Sequence, residues 1–433
     1  MRLPILRIKL SPEFSLFFYI FVSIMKQKIA NINIEEFDGK AFQIQVFEPE
    51  SSALVTHYLH NFRNGIKTFY EKSALESLNN FIEYKQKSEN KNIIAEDAMQ
   101  MLLFEVENVP FPTPEKYDFK FIDLFAGIGG FRLALQNKNG RCIFTSEFEP
   151  YAKKTYRENF GQTPFGDITT NYVKSNIPNN EKIDILCAGF PCQAFSIAGY
   201  QKGFEDKRGN LFFDIEKIAK EHRPKVLFLE NVKNLVSHDN GNTFKTIVEI
   251  LEKKLGYKVF YKVLNSMTHA NIPQNRERIF IIAFDPKQVE NYKDFKFPSE
   301  IPLTKTIHDI LEKGKQDEKY YYKKDHKYYP ELEKTMTKND TVYQWRRIYV
   351  RENKSNVCPT LTANMGSGGH NVPLIKDKFG IRKLTPRECF SFQGFPKNYV
   401  LPKIADSKLY MQAGNSVTMP LIERITEQIL KVL

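Results

Sequence analysis

The chain has 433 residues, is 42% hydrophobic and 26% charged, and sets 63 lysines and arginines against 51 acids, a formal net charge of +12. That length and apolar content provide for two or three domains with a sizeable core, which excludes a disordered or fibrous chain, while the positive excess attracts a polyanion without identifying one. Five cysteines in no regular spacing, none in a CxxC pair, exclude a disulfide framework, point to a reducing compartment and argue against a structural zinc site, so no metal is expected.

Residues 1–25 join a basic start, MRLPILRIKL, to an apolar run, FSLFFYIFVSIM (14–25). The run is too short to span a bilayer, and no small-x-small cleavage site follows it. Met25 as the natural start, or a buried packing segment, accounts for it better than export. Residues 26–113 carry little glycine or proline punctuation before residue 109 and show helical spacing: Leu54, Tyr58, Phe62 and Ile66 recur every four residues, and Leu75, Leu78 and Phe81 or Ile82 continue the stripe. This predicts an amphipathic helical extension whose stripe packs on a neighbour. VPFPTPEKYDF (109–119), with three prolines, marks a domain boundary.

Beyond it strands alternate with helices. Strands are predicted over 120–127, 141–148, 183–189, 225–231, 258–265 and 278–284, with helices over 131–138, 150–160, 210–222 and 242–255. Such alternation requires an α/β fold, a doubly wound and mostly parallel sheet covered on both faces. Ligands in such sheets bind beyond the carboxyl ends of the strands. FAGIGG, EFE, GDI, GFPCQ and ENV all fall there. Residues 286–381 are Lys- and Tyr-rich and break the alternation; cations interleaved with aromatics suit nucleic-acid contact. RKLTPRECFSFQGFP (382–396) and a terminal helix within 410–433 follow.

The polar residues at the predicted sheet edge carry the chemistry. Gly127 and Gly129 begin a dinucleotide fingerprint, but Arg132 stands at the third glycine's place, which argues against a nicotinamide cofactor. Glu147 ends the next strand, where an acid takes ribose hydroxyls, and Asp167 is placed to accept from an adenine amine. Singly, each reads as a cap or turn residue. Together they describe a nucleoside pocket without a pyrophosphate loop, which suits S-adenosylmethionine. Cys192 and Glu230 add a thiol and a carboxylate at the same edge. Carbon 5 of cytosine is too weak a nucleophile to take a methyl group unaided. A thiolate added at carbon 6 makes it enamine-like, and a carboxylic acid at nitrogen 3 stabilises the charge that appears.

Six segments, DLFAGIGGFRLAL, GFPCQAFS, ENV, QNRERIFIIAF, RKLTPRECFSFQGFP and AGNSV, stand in the order and at the spacing of the DNA cytosine-5 methyltransferase family, which the chain resembles over about 119–433. The resemblance implies Cys192 as nucleophile, Glu230 at nitrogen 3, and Arg276 and Arg278 near the target base and its phosphate. It gives cofactor contacts to Phe125, Gly127, Glu147, Asp167, Ile168, Pro191, Leu211 and Asn415, beside the fingerprint glycine Gly129. It further implies double-stranded DNA as partner, a flipped cytosine, a loop at 193–210 that closes on DNA, and a catalytic domain at 119–285 completed by 382–433. Residues 286–381 stand where the family keeps its target-recognition region. A restriction–modification setting with a cognate endonuclease, a cytoplasmic location and no membrane partner follow by analogy. The alternatives are a tRNA cytosine-5 methyltransferase, whose Cys-Phe-Thr signature is absent, and a non-catalytic DNA-binding regulator on the same fold.

Overall fold

In the computed structural model the described residues are 49–62, 65–89, 102–103, 105–191, 211–346, 348–353, 355–367 and 372–433. The apolar segment 1–25, Met25, most of the predicted extension before Pro49, Cys192, the 193–210 loop, Arg347 and the last two glycines of GSGG (366–369) lie outside them.

The predicted alternation forms one six-stranded sheet in the order β2-β1-β3-β4-β7-β5. Its strands are β1 (Phe119–Leu124), β2 (Gly140–Ser146), β3 (Ile185–Gly189), β4 (Val226–Val232), β5 (Lys258–Asn265) and β7 (Glu277–Phe284); the short β6 (Gln274–Asn275) leaves the sheet. β1 to β4 pair in parallel, and β7 pairs antiparallel with both β4 and β5, so β7 alone runs against the other five. The four parallel strands are apolar runs buried almost throughout, as helices on both faces demand. One apolar cluster lies on each face. The helices Gly130–Gln136, Pro150–Phe160, Leu211–His222 and Asn242–Glu249 start within a residue of their predicted positions. A further strand beyond β2 is reduced to a single parallel bridge, Ser146 to Phe165.

The upstream amphipathic stretch is two helices, Pro49–His60 and Lys67–Glu89. Leu54, Tyr58, Ile66, Leu75, Leu78 and Ile82 of the predicted stripe are buried in the same cluster as Leu124, Phe144 and Leu186 of the sheet.

Residues beyond β7 do two things. Phe295, Ile307, Leu361, Met365 and Val372 pack into the main core with Phe390 and Ile422. The remainder folds as a small antiparallel sheet in the order β12-β11-β8-β9, from β8 (Tyr343–Arg346), β9 (Tyr349–Glu352), β11 (Leu374–Asp377) and β12 (Gly380–Lys383). Its own core is Leu332, Met336, Tyr343, Trp345, Val350, Leu374 and Ile381. β10 (Cys358–Pro359) pairs with β6 and fastens this region to the edge where the catalytic motifs end.

Candidate active site

The carboxyl ends of β1 to β4 lie side by side, and the reversed β7 brings its amino end to the same edge. A cleft of about 1590 Å³ opens there, lined by Phe125, Gly127, Glu147, Asp167, Ile168, Pro191, Leu211, Glu230, Arg276, Arg278 and Asn415. Eleven residues singled out in the sequence thus share one cavity.

β1 ends in a tight turn. Phe125 has φ +54 and Gly127 φ +55, left-handed backbone that costs an L side chain roughly 1–2 kcal/mol at Phe125 and nothing at the glycine. A Cβ on Gly127 would meet no atom within 4 Å, so the glycine leaves the floor of the cleft open. Glu147, directly after β2, is buried, and both its oxygens are oriented: Oε2 accepts from the Gly127 N–H at 2.7 Å and Oε1 from the Glu149 N–H at 2.8 Å. Burial raises its proton affinity, opposed by these backbone donors. Asp167 is exposed on the rim, with Oδ1 accepting from the Thr169 N–H at 2.9 Å.

Gly129 is not among the lining residues. At φ +79 it precedes the helix Gly130–Gln136, and a Cβ there would strike the Phe160 and Tyr156 rings, so it serves close packing. Asp123 of the same motif also turns away. It is fully buried, neither carboxyl oxygen has a hydrogen-bond partner, and burial pushes its pKa up to about 8 against the pull of Arg132.

Glu230 lies two residues before the end of β4, two positions along from Arg278 in the antiparallel register that pairs Glu230 with Phe280 and Val232 with Arg278. Both side chains therefore emerge on one face, and Arg278 Nε lies 3.0 Å from Glu230 Oε1. Burial raises the carboxyl's pKa, partly offset by the Arg278 and Arg276 charges. Arg276 lines the cleft as well, but it is anchored away from Glu230. Its guanidinium is buried in the wall and donates to three carbonyls: Leu361 at 2.9 Å, Gly414 at 3.1 Å and Ser416 at 2.6 Å. It acts as a strut joining the residue before β7 to the segment around Leu361 and to AGNSV.

Two residues escaped the sequence reading although they lie inside quoted motifs. Asn231 of ENV is buried and donates Nδ2 to the Phe190 carbonyl at 2.9 Å, while its Oδ1 accepts from the Val232 N–H. It thereby clamps the backbone two residues before Cys192. Phe148 of EFE lines the cleft with 74% of its surface exposed. An exposed phenyl between two acids in a ligand cleft is the available signal, and exposure is not legible in sequence. Among the described residues no group of three or more His, Cys, Asp or Glu could hold a metal ion, and no helix is long and apolar enough to cross a membrane.

A family model described as C-5 cytosine-specific DNA methylase matches residues 119–431. The type II methyltransferase M.Bsp6I of Bacillus sp. (strain RFL6) is 53% identical over 312 residues, covering 71% of this chain and 97% of that protein. M.HpaII of Haemophilus parainfluenzae is 42% identical over 356 residues, covering 79% and 97%. Among solved structures, the S. pombe Dnmt2 methyltransferase superposes with a TM-score of 0.55 at 19% identity, over 72% of this chain and 99% of that one. The Entamoeba histolytica methyltransferase EhMeth gives 0.53 at 19%, over 73% and 99%. At that identity the structures speak for the fold. The sequence matches speak for more: the chain belongs to the C-5 cytosine-specific DNA methylase family.

Proposed function

We propose that this DNA methyltransferase moves a methyl group from S-adenosylmethionine to carbon 5 of a cytosine flipped out of duplex DNA, through an adduct with Cys192, as the modification enzyme of a type II restriction–modification system. The observation that carries the reading is the convergence, on one sheet edge, of the Glu230–Arg278 pair and the Asn231-clamped backbone that leads into Cys192.

The donors around the cleft fit the cofactor. An oriented carboxylate at Glu147 suits ribose hydroxyls, the exposed Asp167 suits an adenine amine, and Phe125, Phe148, Ile168, Pro191 and Leu211 give apolar surface for the ring. Gly127 allows close approach to the backbone, and Asn415 adds a polar group to the lining. When bound, S-adenosylmethionine supplies an electrophilic methyl group. Cys192 thiolate adds to carbon 6 and pushes an electron pair onto carbon 5. Glu230, held by Arg278, gives its proton to nitrogen 3 and so stabilises the adduct. After carbon 5 has taken the methyl group, a base takes its proton, the electron pair reforms the carbon 5–carbon 6 double bond and expels the thiolate, and nitrogen 3 returns its proton to Glu230. The 193–210 loop closes the cleft over the flipped base, and residues 286–381 choose the target. The substrate is duplex DNA in the cytoplasm. A cognate endonuclease reads the same site without contacting this chain.

Incubation with S-adenosylmethionine and a duplex whose target cytosine carries fluorine at carbon 5 tests the reading, because after methyl transfer fluorine cannot leave as a cation. The wild-type protein is expected to form a denaturation-resistant complex with that duplex. Cys192→Ala is expected to form none, to lose methyl transfer and to keep binding DNA. Methyl transfer by the alanine variant would remove the covalent mechanism, and transfer to tRNA in preference to DNA would favour the alternative substrate. Bisulfite sequencing of DNA from cells expressing the protein then reads out the target motif.

A further inference from the structure

The family-matched segment starts at residue 119, yet the strand edge that leads to Glu147 is finished by side chains from upstream of it. β2 is the outermost strand beside β1, and a bare edge leaves unpaired backbone groups. His57, buried on the helix Pro49–His60, accepts the Thr145 N–H at its Nε2 (3.2 Å). Its Nδ1–H donates to the Ala53 carbonyl at 2.8 Å, so a single neutral tautomer satisfies both nitrogens. Tyr70 of the next helix donates its hydroxyl to the Ile143 and Asn176 carbonyls at 3.2 and 3.0 Å.

The segment 162–168, which carries Asp167, is held from the same side. Thr56 Oγ1 accepts the Thr163 N–H at 3.1 Å, and the Ser52 and Thr163 hydroxyls are 2.7 Å apart. The Phe165 ring lies 4.5 Å from the His57 ring. A Cβ on Gly166 would stand 2.5 Å from Glu50 Oε1. Phe165 in turn bridges β2: its N–H donates to the Thr145 carbonyl at 2.9 Å, and its carbonyl accepts the Glu147 N–H at 2.8 Å. His57 therefore sits where both partners of this one-bridge pairing meet, two residues before Glu147 and beside the ring two residues before Asp167.

We propose that the upstream helices buttress the nucleoside half of the cleft from behind, with His57 as the positioning residue that sets Glu147 and Asp167 at the spacing an adenosine requires. The inference rests on the cofactor reading above and gives the upstream region a role in cofactor affinity that is separate from DNA recognition. Burial holds the ring neutral, with a pKa pushed down to about 3, so Nε2 remains an acceptor throughout the working pH range.

The test is calorimetric binding of S-adenosylhomocysteine to the full chain, alongside duplex DNA affinity by gel shift. His57→Phe keeps a ring against Phe165 and deletes the acceptor. It is expected to weaken S-adenosylhomocysteine about tenfold, the loss of one buried hydrogen bond, and to leave DNA affinity unchanged. His57→Gln, whose amide oxygen reaches the same N–H, is expected to recover most of that loss. Thr56→Val and Tyr70→Phe delete single hydroxyls with little change of shape, and are expected to weaken the same ligand more mildly even if the ring substitution prevents folding. Undiminished S-adenosylhomocysteine binding in folded variants, or parallel losses of cofactor and DNA binding, would overturn the inference alone. A wild-type protein that binds no S-adenosylhomocysteine would overturn the cofactor reading and this inference with it.

Discussion

Glu230 sits in a buried niche whose opposing influences decide its protonation. Removal from water favours the neutral acid, and the guanidinium of Arg278 at 3.0 Å favours the carboxylate; desolvation is the larger, so the pKa is raised. A raised pKa keeps more of the group protonated as pH climbs toward neutrality, which is the state needed to donate at nitrogen 3. The rate of methyl transfer that depends on this proton should therefore be full below the raised pKa and fall as pH rises through it. Glu230→Gln has no proton to give. It is expected to slow single-turnover transfer by about 10²–10⁴, the usual range for one acid–base group, to lose that alkaline limb, and to keep S-adenosylhomocysteine affinity. A variant that instead loses the cofactor would place Glu230 in the other half of the cleft.

At the scale of the elements, three distant segments are welded around Arg276. Its guanidinium joins the carbonyls of Leu361, Gly414 and Ser416, and Thr360 Oγ1 donates to the Asn275 carbonyl at 2.6 Å. Gly414 lies in the last turn of the helix Asp406–Asn415, and a Cβ there would overlap the Thr362 and Ala363 backbone. Replacing a helical glycine by alanine ordinarily stabilises by about 1 kcal/mol. Here overpacking against immovable backbone, typically about 1–3 kcal/mol, reverses the sign. Gly414→Ala is expected to lower the denaturation midpoint and slow transfer; a raised midpoint would mean that the 362–363 segment gives way freely. This weld also marks the limit of what sequence reveals. The parallel strands were legible because they are apolar runs closed by glycine or an acid, and the helices because their stripes repeat. Which glycine faces a ligand was not. Gly127 and Gly129 read alike, but only the neighbours of Gly129, Phe160 and Tyr156, fill its missing side chain. Arg276 and Arg278 likewise read as a pair. Partners far along the chain turn the first into a strut and leave the second beside Glu230. The helical stretch from 52 to 84 breaks between His60 and Lys67, and the backbone bridge at Phe165 has no sequence signal at all.

At the scale of the whole molecule, the proposed function assigns chemistry and target choice to different sheets. The large sheet holds the cleft, and the small one presents the β8–β9 ribbon. Tyr343, Trp345 and Val350 bury one face of that ribbon, with the Trp345 ring 4.3 Å from Tyr328. The opposite face offers Arg346 across from Tyr349 and Arg351 across from Gln344, and Ile348 stands beside them with 86% of its surface exposed. A two-stranded ribbon fits the major groove of DNA, and arginine is the side chain best shaped to read guanine there. Exchange of residues 286–381 for the matching region of a relative is therefore expected to change the methylated sequence and to keep carbon 5 of cytosine as the acceptor. The junction needs care, because β12 runs to Lys383 and its Arg382 binds Asp377 at 2.8 Å and Glu388 at 2.8 and 2.7 Å. Extending the exchange to 383, with arginine kept at 382, preserves that buried network, whose rupture would leave an unpaired charge. Within the ribbon, Arg346→Ala and Arg351→Ala should behave in one of two ways. An arginine on phosphate weakens all duplexes and flattens the salt dependence, whereas one on a base edge costs about 1–3 kcal/mol at one position of the site. Bisulfite sequencing of the chimera decides the larger question. A folded, active chimera that still methylates its original target would move recognition out of the small sheet and onto the rest of the chain.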